Sequence, residues 1–337
     1  MQLSDIDYDL PEELIAQKPI EPRDSARLLV DLESGEISHR VVAGLDTLVG
    51  PGDLIVVNDT KVLPARLVLQ RKTGGAAEVL LLEKRSQDAR LWEALVRPGK
   101  KIKEGEVLEY FGKRVVRMGP RTEAGDTFVV EILDEDPLDL IARIGAMPLP
   151  PYIRGSLKDQ DRYQTVYANK PASAAAPTAG LHFTEELLAR IRATGATIMS
   201  VELIVGLDTF KPISTDNPLD HVIHSEFYSV SQEVVDACKQ ATRVIAIGTT
   251  ATRALESVFT TGELTGRTNL FITPGYSWKI VDVMLTNFHM PKTSLLLMIG
   301  SFVGDRWRDL YELAVSEKYR FLSFGDAMFI SRKSEKS

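Results

Sequence analysis

Three short stretches of this chain carry side chains of the kinds that bind or transform a small molecule. The first is Pro177–Thr184, PTAGLHFT, in which Thr178 supplies a hydroxyl and His182 an imidazole on either side of Ala179 and Gly180. The two small residues let a ligand approach the backbone closely. Thr184 suits the N-cap of the helix that follows, and Glu185 and Glu186 suit the positive end of its dipole. The same glutamates make that helix end a poor place for a phosphate. The loop therefore offers neutral contacts, which fit a nucleoside better, although a turn that merely satisfies His182 accounts for the same residues.

The second stretch is Gly248–Arg253, GTTATR. A glycine and two hydroxyls, Thr249 and Thr250, open a helix directly after an apolar strand, which presents free backbone N–H groups to a ligand. Threonine capping the helix explains the local pattern equally well. Neither G-x-G-x-x-G nor a P-loop is present, so no dinucleotide and no nucleoside triphosphate is indicated. The third stretch, Thr286–His289 or TNFH, ends another apolar run with Asn287 and His289. His289, at a strand end, is a candidate for catalysis.

The remaining reactive residues offer less. His221 and His224 are spaced i, i+3, as two metal ligands can be, but no third ligand is evident and H-E-x-x-H is absent. The one cysteine, Cys238, lies on an apolar helix face and reads as a buried thiol, with no disulfide framework possible.

Three apolar strands must position the candidates. LIVV runs into Asn58-Asp59-Thr60-Lys61, VIAI into Gly248-Thr249-Thr250, and VDVML into Thr286-Asn287-Phe288-His289. If the strands are parallel, their polar ends line one rim, where ligands of open α/β sheets bind. Helical periodicity follows Thr184 (Leu187, Leu188, Ile191), Ser231 (Val234, Cys238, Ala241) and Trp307 (Leu310, Tyr311, Ala314), and LPEELIAQ starts like a helix. Between 64 and 151 the texture changes to short β-branched segments separated by GG, PGKK, EG and AGD, the pattern of an all-β barrel or sandwich. The expected architecture is a discontinuous α/β domain, Rossmann-like with a mixed or parallel sheet, of residues 1–63 plus 152–337. An all-β, barrel-like domain of residues 64–151 is inserted in it.

Charge divides along similar lines. The formal net charge is −7, yet Lys61 to Arg121 holds 15 Lys+Arg against 7 Asp+Glu, a local +8 that leaves −15 for the rest. A basic module inside an acidic protein is the footprint of a polyanion binder, and also that of a solvated β face protected by lysines. No apolar run reaches the roughly 20 residues of a membrane span, and the acidic start MQLSDIDYDL does not read as a signal peptide, so a cytoplasmic location is expected.

NDTKVLPARL, APTAGLHFT, HSEFY, GTTATRALES and TNFHMPKTSLL, in this order and spacing, resemble the S-adenosylmethionine:tRNA ribosyltransferase-isomerase family of the queuosine pathway. The likeness runs from Asp5 to FLSFGDAMFI. It implies that S-adenosylmethionine donates its ribosyl moiety to the aminomethyl group of a 7-deazaguanine at the wobble position of a tRNA with a GUN-type anticodon. Epoxyqueuosine forms, and adenine and methionine leave. It also implies an α/β domain with an inserted β domain, no metal or other cofactor, and a monomer is expected. A sulfonium acidifies neighbouring C–H bonds, so a base near the 5′ carbon can form an ylide, with His182 and His289 the candidates. Thr178, Thr249, Thr250 and Asn287 are candidates to orient the departing adenine, Gly180 and Gly248 to let the substrate approach, and Arg253 to hold the methionine carboxylate or a phosphate. Lys61, Arg66, Arg97, Lys100, Lys101 and Arg154 are candidates to grip the anticodon arm. Two other readings compete: a non-catalytic RNA-binding protein, which needs no polar strand ends, and an S-adenosylmethionine-dependent RNA methyltransferase, whose glycine motif is missing.

Overall fold

Asp53–Asn58, DLIVVN, is apolar without alternation, and a strand of that kind must be covered on both faces. In the computed structural model, which describes residues 1–32, 36–122, 125, 127–155, 157, 159–173, 175–205, 212–223 and 225–333, all six of its residues are buried. The chain divides into two compact units. One comprises 1–60, 150–170 and 177–337, and the other 61–149 with 171–176. Compared with the boundaries at 64 and 151 read from sequence, the second unit also takes in Lys61–Leu63 and a return segment, 171–176.

The strands in chain order begin with β1 (Arg27–Asp31), β2 (Ser38–Val41), β3 (Asp53–Asn58) and β4 (Thr60–Val62). Six strands of the second unit follow: β5 (Arg66–Arg71), β6 (Ala76–Lys84), β7 (Leu91–Arg97), β8 (Val107–Tyr110), β9 (Lys113–Arg121) and β10 (Phe128–Ile132). After helix α1 (Pro137–Ile144) come β11 (Lys170–Ser173), α2 (Glu185–Ala193), β12 (Thr197–Leu203), β13 (Glu226–Ser229), α3 (Gln232–Gln240) and β14 (Arg243–Ile247). The chain continues through α4 (Gly248–Thr261), β15 (Thr265–Thr268), β16 (Val283–Asn287), α5 (Ser294–Val303), α6 (Trp307–Ser316) and β17 (Ala327–Ser331).

In the α/β unit the sheet has nine strands, ordered β15-β13-β12-β3-β14-β16-β17-β1-β2. It is mixed. β12, β3, β14 and β16 run parallel, β17 is antiparallel to β16, and β1 is parallel to β17. Alternate residues explain the two covered faces. Leu28, Val30, Ile55, Val57, Ile245, Ile247, Val283 and Leu285 point to one side, where they meet Leu187, Leu188 and Ile191 of α2. α4 packs across β12, β3, β14 and β16 with Ala251, Ala254, Leu255 and Val258 buried. Local chemistry fixes the helix ends: the Thr184 hydroxyl accepts from the Leu187 N–H (3.1 Å) and Ser231 caps α3 through the Val234 N–H (3.3 Å).

The six strands of the second unit close into a barrel, β10-β7-β6-β5-β8-β9. Their period of two puts Leu67 and Leu69 inside while Val68 lies outside, and likewise buries Trp92, Ala94 and Val96. Closure removes the free edges that an open sheet of such sequences would expose.

Two segments differ from their sequence patterns. LPEELIAQ forms only a 3₁₀ turn, Glu12–Leu14, because the chain beyond it pairs with another segment: the Phe321 N–H donates to the Leu14 carbonyl (2.8 Å) and the Ala16 N–H to the Phe321 carbonyl (3.2 Å). Asp136-Pro137 opens α1, not read from sequence, with the Asp136 carboxylate accepting from the Asp139 N–H (3.0 Å) and Leu140 and Ile141 buried.

Candidate functional site

The rim expected from the polar strand ends forms. β3 and β14 pair from Arg243↔Asp53 to Ala246↔Val56, and β14 and β16 from Ile245↔Val283 to Ile247↔Leu285. The parallel registers bring the ends of β3, β14 and β16 to one edge of the sheet, so Asp59, Gly248 and Asn287 lie along that edge. β3 is also a switch point: α2 leads to β12 on one side of it, and α3 leads to β14 on the other. Ligand crevices of α/β sheets form at such points.

The PTAGLHFT stretch lies against this rim as a 3₁₀ turn, Thr178–His182. Ala179 and Phe183 anchor it in the core beneath α2. Both glycines read from sequence have a geometric reason. A Cβ on Gly180 would lie 1.9 Å from the Tyr167 hydroxyl and 2.9 Å from Thr165 Cγ2. Gly248 has φ +88°, which L side chains rarely adopt, and sits where a Cβ would touch that of Ala179 at 3.4 Å.

Three of the candidate residues meet. The Thr178 hydroxyl donates to Asn287 Oδ1 (2.9 Å), and Asn287 Nδ2 reaches His182 Nε2 (3.3 Å) and the Asp326 carbonyl (3.4 Å). An amide N–H can only donate, so Nε2 accepts and the imidazole is neutral with its proton on Nδ1. Burial pushes the His182 pKa down to about 4, with the charges of Arg320, Arg162 and Arg23 acting the same way. His289 is held separately. Its Nε2 lies 3.0 Å from the Thr286 hydroxyl, its N–H donates to the Tyr311 hydroxyl (3.0 Å), and its carbonyl accepts from Tyr8. Burial lowers its pKa to about 3.

The other candidates are placed as follows. Thr249 and Thr250 open α4 half-buried, and the Thr250 hydroxyl has no hydrogen-bond partner among the described residues. Arg253 is not a free cation: it forms a buried ion pair with Glu226 of β13, and burial lowers its pKa to about 10. Removing one member of such a pair strands the other charge at a cost of roughly 3–5 kcal/mol. Arg253 therefore has a structural task whatever else it contacts. Glu256, unmarked in sequence, accepts the N–H groups of Lys279, Ile280 and Val281 and the Tyr276 hydroxyl, tying that segment to α4.

Of the basic candidates, Arg97 is exposed at the end of β7, and Lys100 and Lys101 are exposed on the turn after it. Arg71 at the end of β5 donates to the Lys101 carbonyl (2.9 Å) and Arg121 to the Gly99 carbonyl (3.0 Å), which fixes the turn over that end of the barrel. Lys61 is exposed in the middle of β4, and Arg66 is half-buried at the start of β5. Arg154 belongs to the α/β unit, exposed and paired with Glu12. His221 stands 6.1 Å, ring to ring, from Phe271, and His224 lies outside the described residues. Among the described residues no three His, Cys, Asp or Glu side chains could hold a metal together. The Cys238 thiol is buried in α3 and pushed up to about 12 by that burial, which leaves it unreactive.

The profile described as "Queuosine biosynthesis protein" matches residues 3–330. The chain belongs to the queuosine biosynthesis protein family. It is 48% identical over 344 residues to the S-adenosylmethionine:tRNA ribosyltransferase-isomerase of Symbiobacterium thermophilum, covering 98% of this chain and all of that one. It is 46% identical over 342 residues to the enzyme of the same name from Carboxydothermus hydrogenoformans, with 98% and 100% covered. The crystal structure of S-adenosylmethionine tRNA ribosyltransferase from Thermotoga maritima aligns with 34% identity and a TM-score of 0.55 over 97% of this chain and 99% of that one. The barrel and mixed sheet described above are thus shared within the queuosine biosynthesis family.

Both buried histidines make stability depend on pH. Their native pKa values lie below the ordinary 6.5, so a proton added on acidification binds the unfolded chain first. Their contribution is complete above pH 6.5 and lost as pH falls towards 4 and 3. Urea unfolding between pH 7 and 5 should show stability dropping by about 1.4 kcal/mol per pH unit for each histidine below 6.5, and H182N should lose its share of that slope. A flat profile would mean that neither imidazole is desolvated.

Proposed function

We propose that this chain transfers and isomerises the ribosyl moiety of S-adenosylmethionine onto 7-aminomethyl-7-deazaguanine at the wobble position of tRNA, giving epoxyqueuosine and releasing adenine and methionine. The observation that carries this reading is the match of nearly the whole chain to relatives bearing that activity in their names, at 46–48% identity. The rim supports it. It offers neutral hydrogen-bonding groups rather than a phosphate cradle, as a nucleoside with a sulfonium substituent needs.

Within that reading, Thr178, Asn287 and His182 form one hydrogen-bonded set for the nucleoside, with Gly180 and Gly248 allowing close approach. His182 and His289 are the candidates for proton transfer; Nε2 of His182 belongs to that set, and Nε2 of His289 faces the Thr286 hydroxyl. A pKa near 4 keeps His182 neutral at working pH, the form in which it can take a proton, at the cost of basicity. Arg253 joins methionine carboxylate binding only through a guanidinium that Glu226 already holds. No metal or further cofactor takes part in the proposed reaction. The barrel's basic end, Arg97, Lys100 and Lys101, contacts tRNA phosphates, with Lys61, Arg66 and Arg154 as further contacts. The tRNA carries a GUN-type anticodon, and the enzyme works as a cytoplasmic monomer. No helix among the described residues is long and apolar enough to cross a membrane.

The test uses tRNA bearing the modified base and S-adenosylmethionine labelled either in the ribose or in the methyl group. Ribose label should enter RNA while adenine and methionine appear, and H182A should cut that turnover by roughly 100-fold or more with tRNA affinity unchanged. Methyl label in RNA would make the protein a methyltransferase, and binding without either label would make it an RNA-binding module. The tRNA contact is tested by salt. Affinity should fall steeply with ionic strength, and K100A/K101A should lower the log–log slope by about 1.5. A complex insensitive to salt would refute the electrostatic grip.

A further inference from the structure

Buried polar atoms are almost always paired. Around the end of β3, four side-chain oxygens break that rule: Asp59 Oδ1 and the hydroxyls of Thr165, Tyr167 and Thr250 have no hydrogen-bond partner among the described residues. Asp59 is 7% exposed and Thr165 5%. They are neighbours by construction. The N–H groups of Asn169 and Lys170 donate to the Asp59 carbonyl (2.8 and 3.2 Å), which brings the 165–170 segment to the strand end. Tyr167 and Thr165 both face Gly180, and Thr250 stands beside Gly248. The Tyr167 phenol is held protonated by burial and by the Asp59 charge near it, so it is a donor.

We propose that Asp59, Thr165, Tyr167 and Thr250 form the subsite for a vicinal diol, the 2′,3′-diol of the ribose of S-adenosylmethionine. This assignment rests on the function proposed above. The count of donors and acceptors favours a diol. Asp59 Oδ2 already accepts from the Ser200 hydroxyl (3.1 Å), so Oδ1 remains as a pure acceptor. Each of the three hydroxyls has a proton to give and lone pairs to fill. An ammonium brings only donors and leaves those protons unsatisfied. A phosphate or carboxylate brings only acceptors and is repelled by Asp59. A diol brings two O–H donors, one for Asp59, and acceptor lone pairs for the hydroxyls. An internal RNA nucleotide lacks the free diol because its 3′ oxygen is esterified, so the source is the small nucleoside. A Cβ on Gly180 would collide with the Tyr167 hydroxyl and Thr165 Cγ2, so that glycine lets both stand where they are.

The experiment measures equilibrium affinities of the full-length protein and of D59N and Y167F for S-adenosylmethionine, S-adenosylhomocysteine and the 2′-deoxy and 3′-deoxy forms of the latter. D59N should lose roughly 10- to 100-fold for the ribose ligands and little for the deoxy form missing the hydroxyl it pairs with, and Y167F roughly 10-fold in the same pattern. Y167F keeps the aromatic ring against Phe183, so it decides the question if D59N unfolds on heating at lower temperature. Equal losses for ribose and deoxy ligands, or none, would overturn the subsite. A loss with the sulfonium ligand alone would overturn it too, placing the positive charge at Asp59. The proposed reaction is scored separately by ribose-label transfer in the unsubstituted protein. Diol-selective binding without transfer would remove the reaction and keep the subsite, and transfer with unselective variants would do the reverse.

Discussion

The parallel pairing of β3 with β14 is the constraint on which the rest of the site depends. Both strands are continuous apolar runs, buried on both faces between α2 and α4, so a shift in their register would move every core side chain to the wrong face. That register brings the end of β3, from which Asp59 follows, and the end of β14, from which α4 follows, to one edge, and the β14–β16 pairing adds the end of β16 with Asn287. Polar groups with no place in a hydrophobic core are thereby gathered at one end of it.

A desolvated rim has electrostatic consequences. His182 and His289 are neutral because burial makes their charged forms costly, and at His182 the charges of Arg320, Arg162 and Arg23 add to that cost. Neutral imidazoles, hydroxyls and an amide give directional hydrogen bonds. Arg253, in the first turns of α4, is neutralised by Glu226. The unpaired carboxylate oxygen of Asp59 stands out against that background.

Much of this was legible in the sequence, for identifiable reasons. Apolar runs that break abruptly into NDTK, GTT and TNFH reported strand ends directly, because buried parallel strands are apolar throughout and polar residues begin where the core stops. Short β-branched segments separated by turn residues between 64 and 151 reported an all-β barrel or sandwich, and the structure closes it as a barrel; Thr178, His182 and Asn287 do meet. What stayed hidden depended on partners distant in the chain. Arg253 looked free because Glu226 comes to it only through the position of β13. Thr165 and Tyr167 sit in a stretch with no periodicity, held by backbone hydrogen bonds to Asp59 that no side-chain pattern reports. LPEELIAQ carried a helix signal that pairing with Phe321 overrode.

The central claim is that the polar ends of β3, β14 and β16, with the turn laid against them, form the nucleoside site. Amide hydrogen exchange with and without S-adenosylmethionine tests it most directly. Protection should appear in residues 58–60, 165–170, 177–183, 248–251 and 286–289, with the barrel strands β5 to β10 unchanged. Protection confined to the barrel, or spread evenly over both units, would contradict the account.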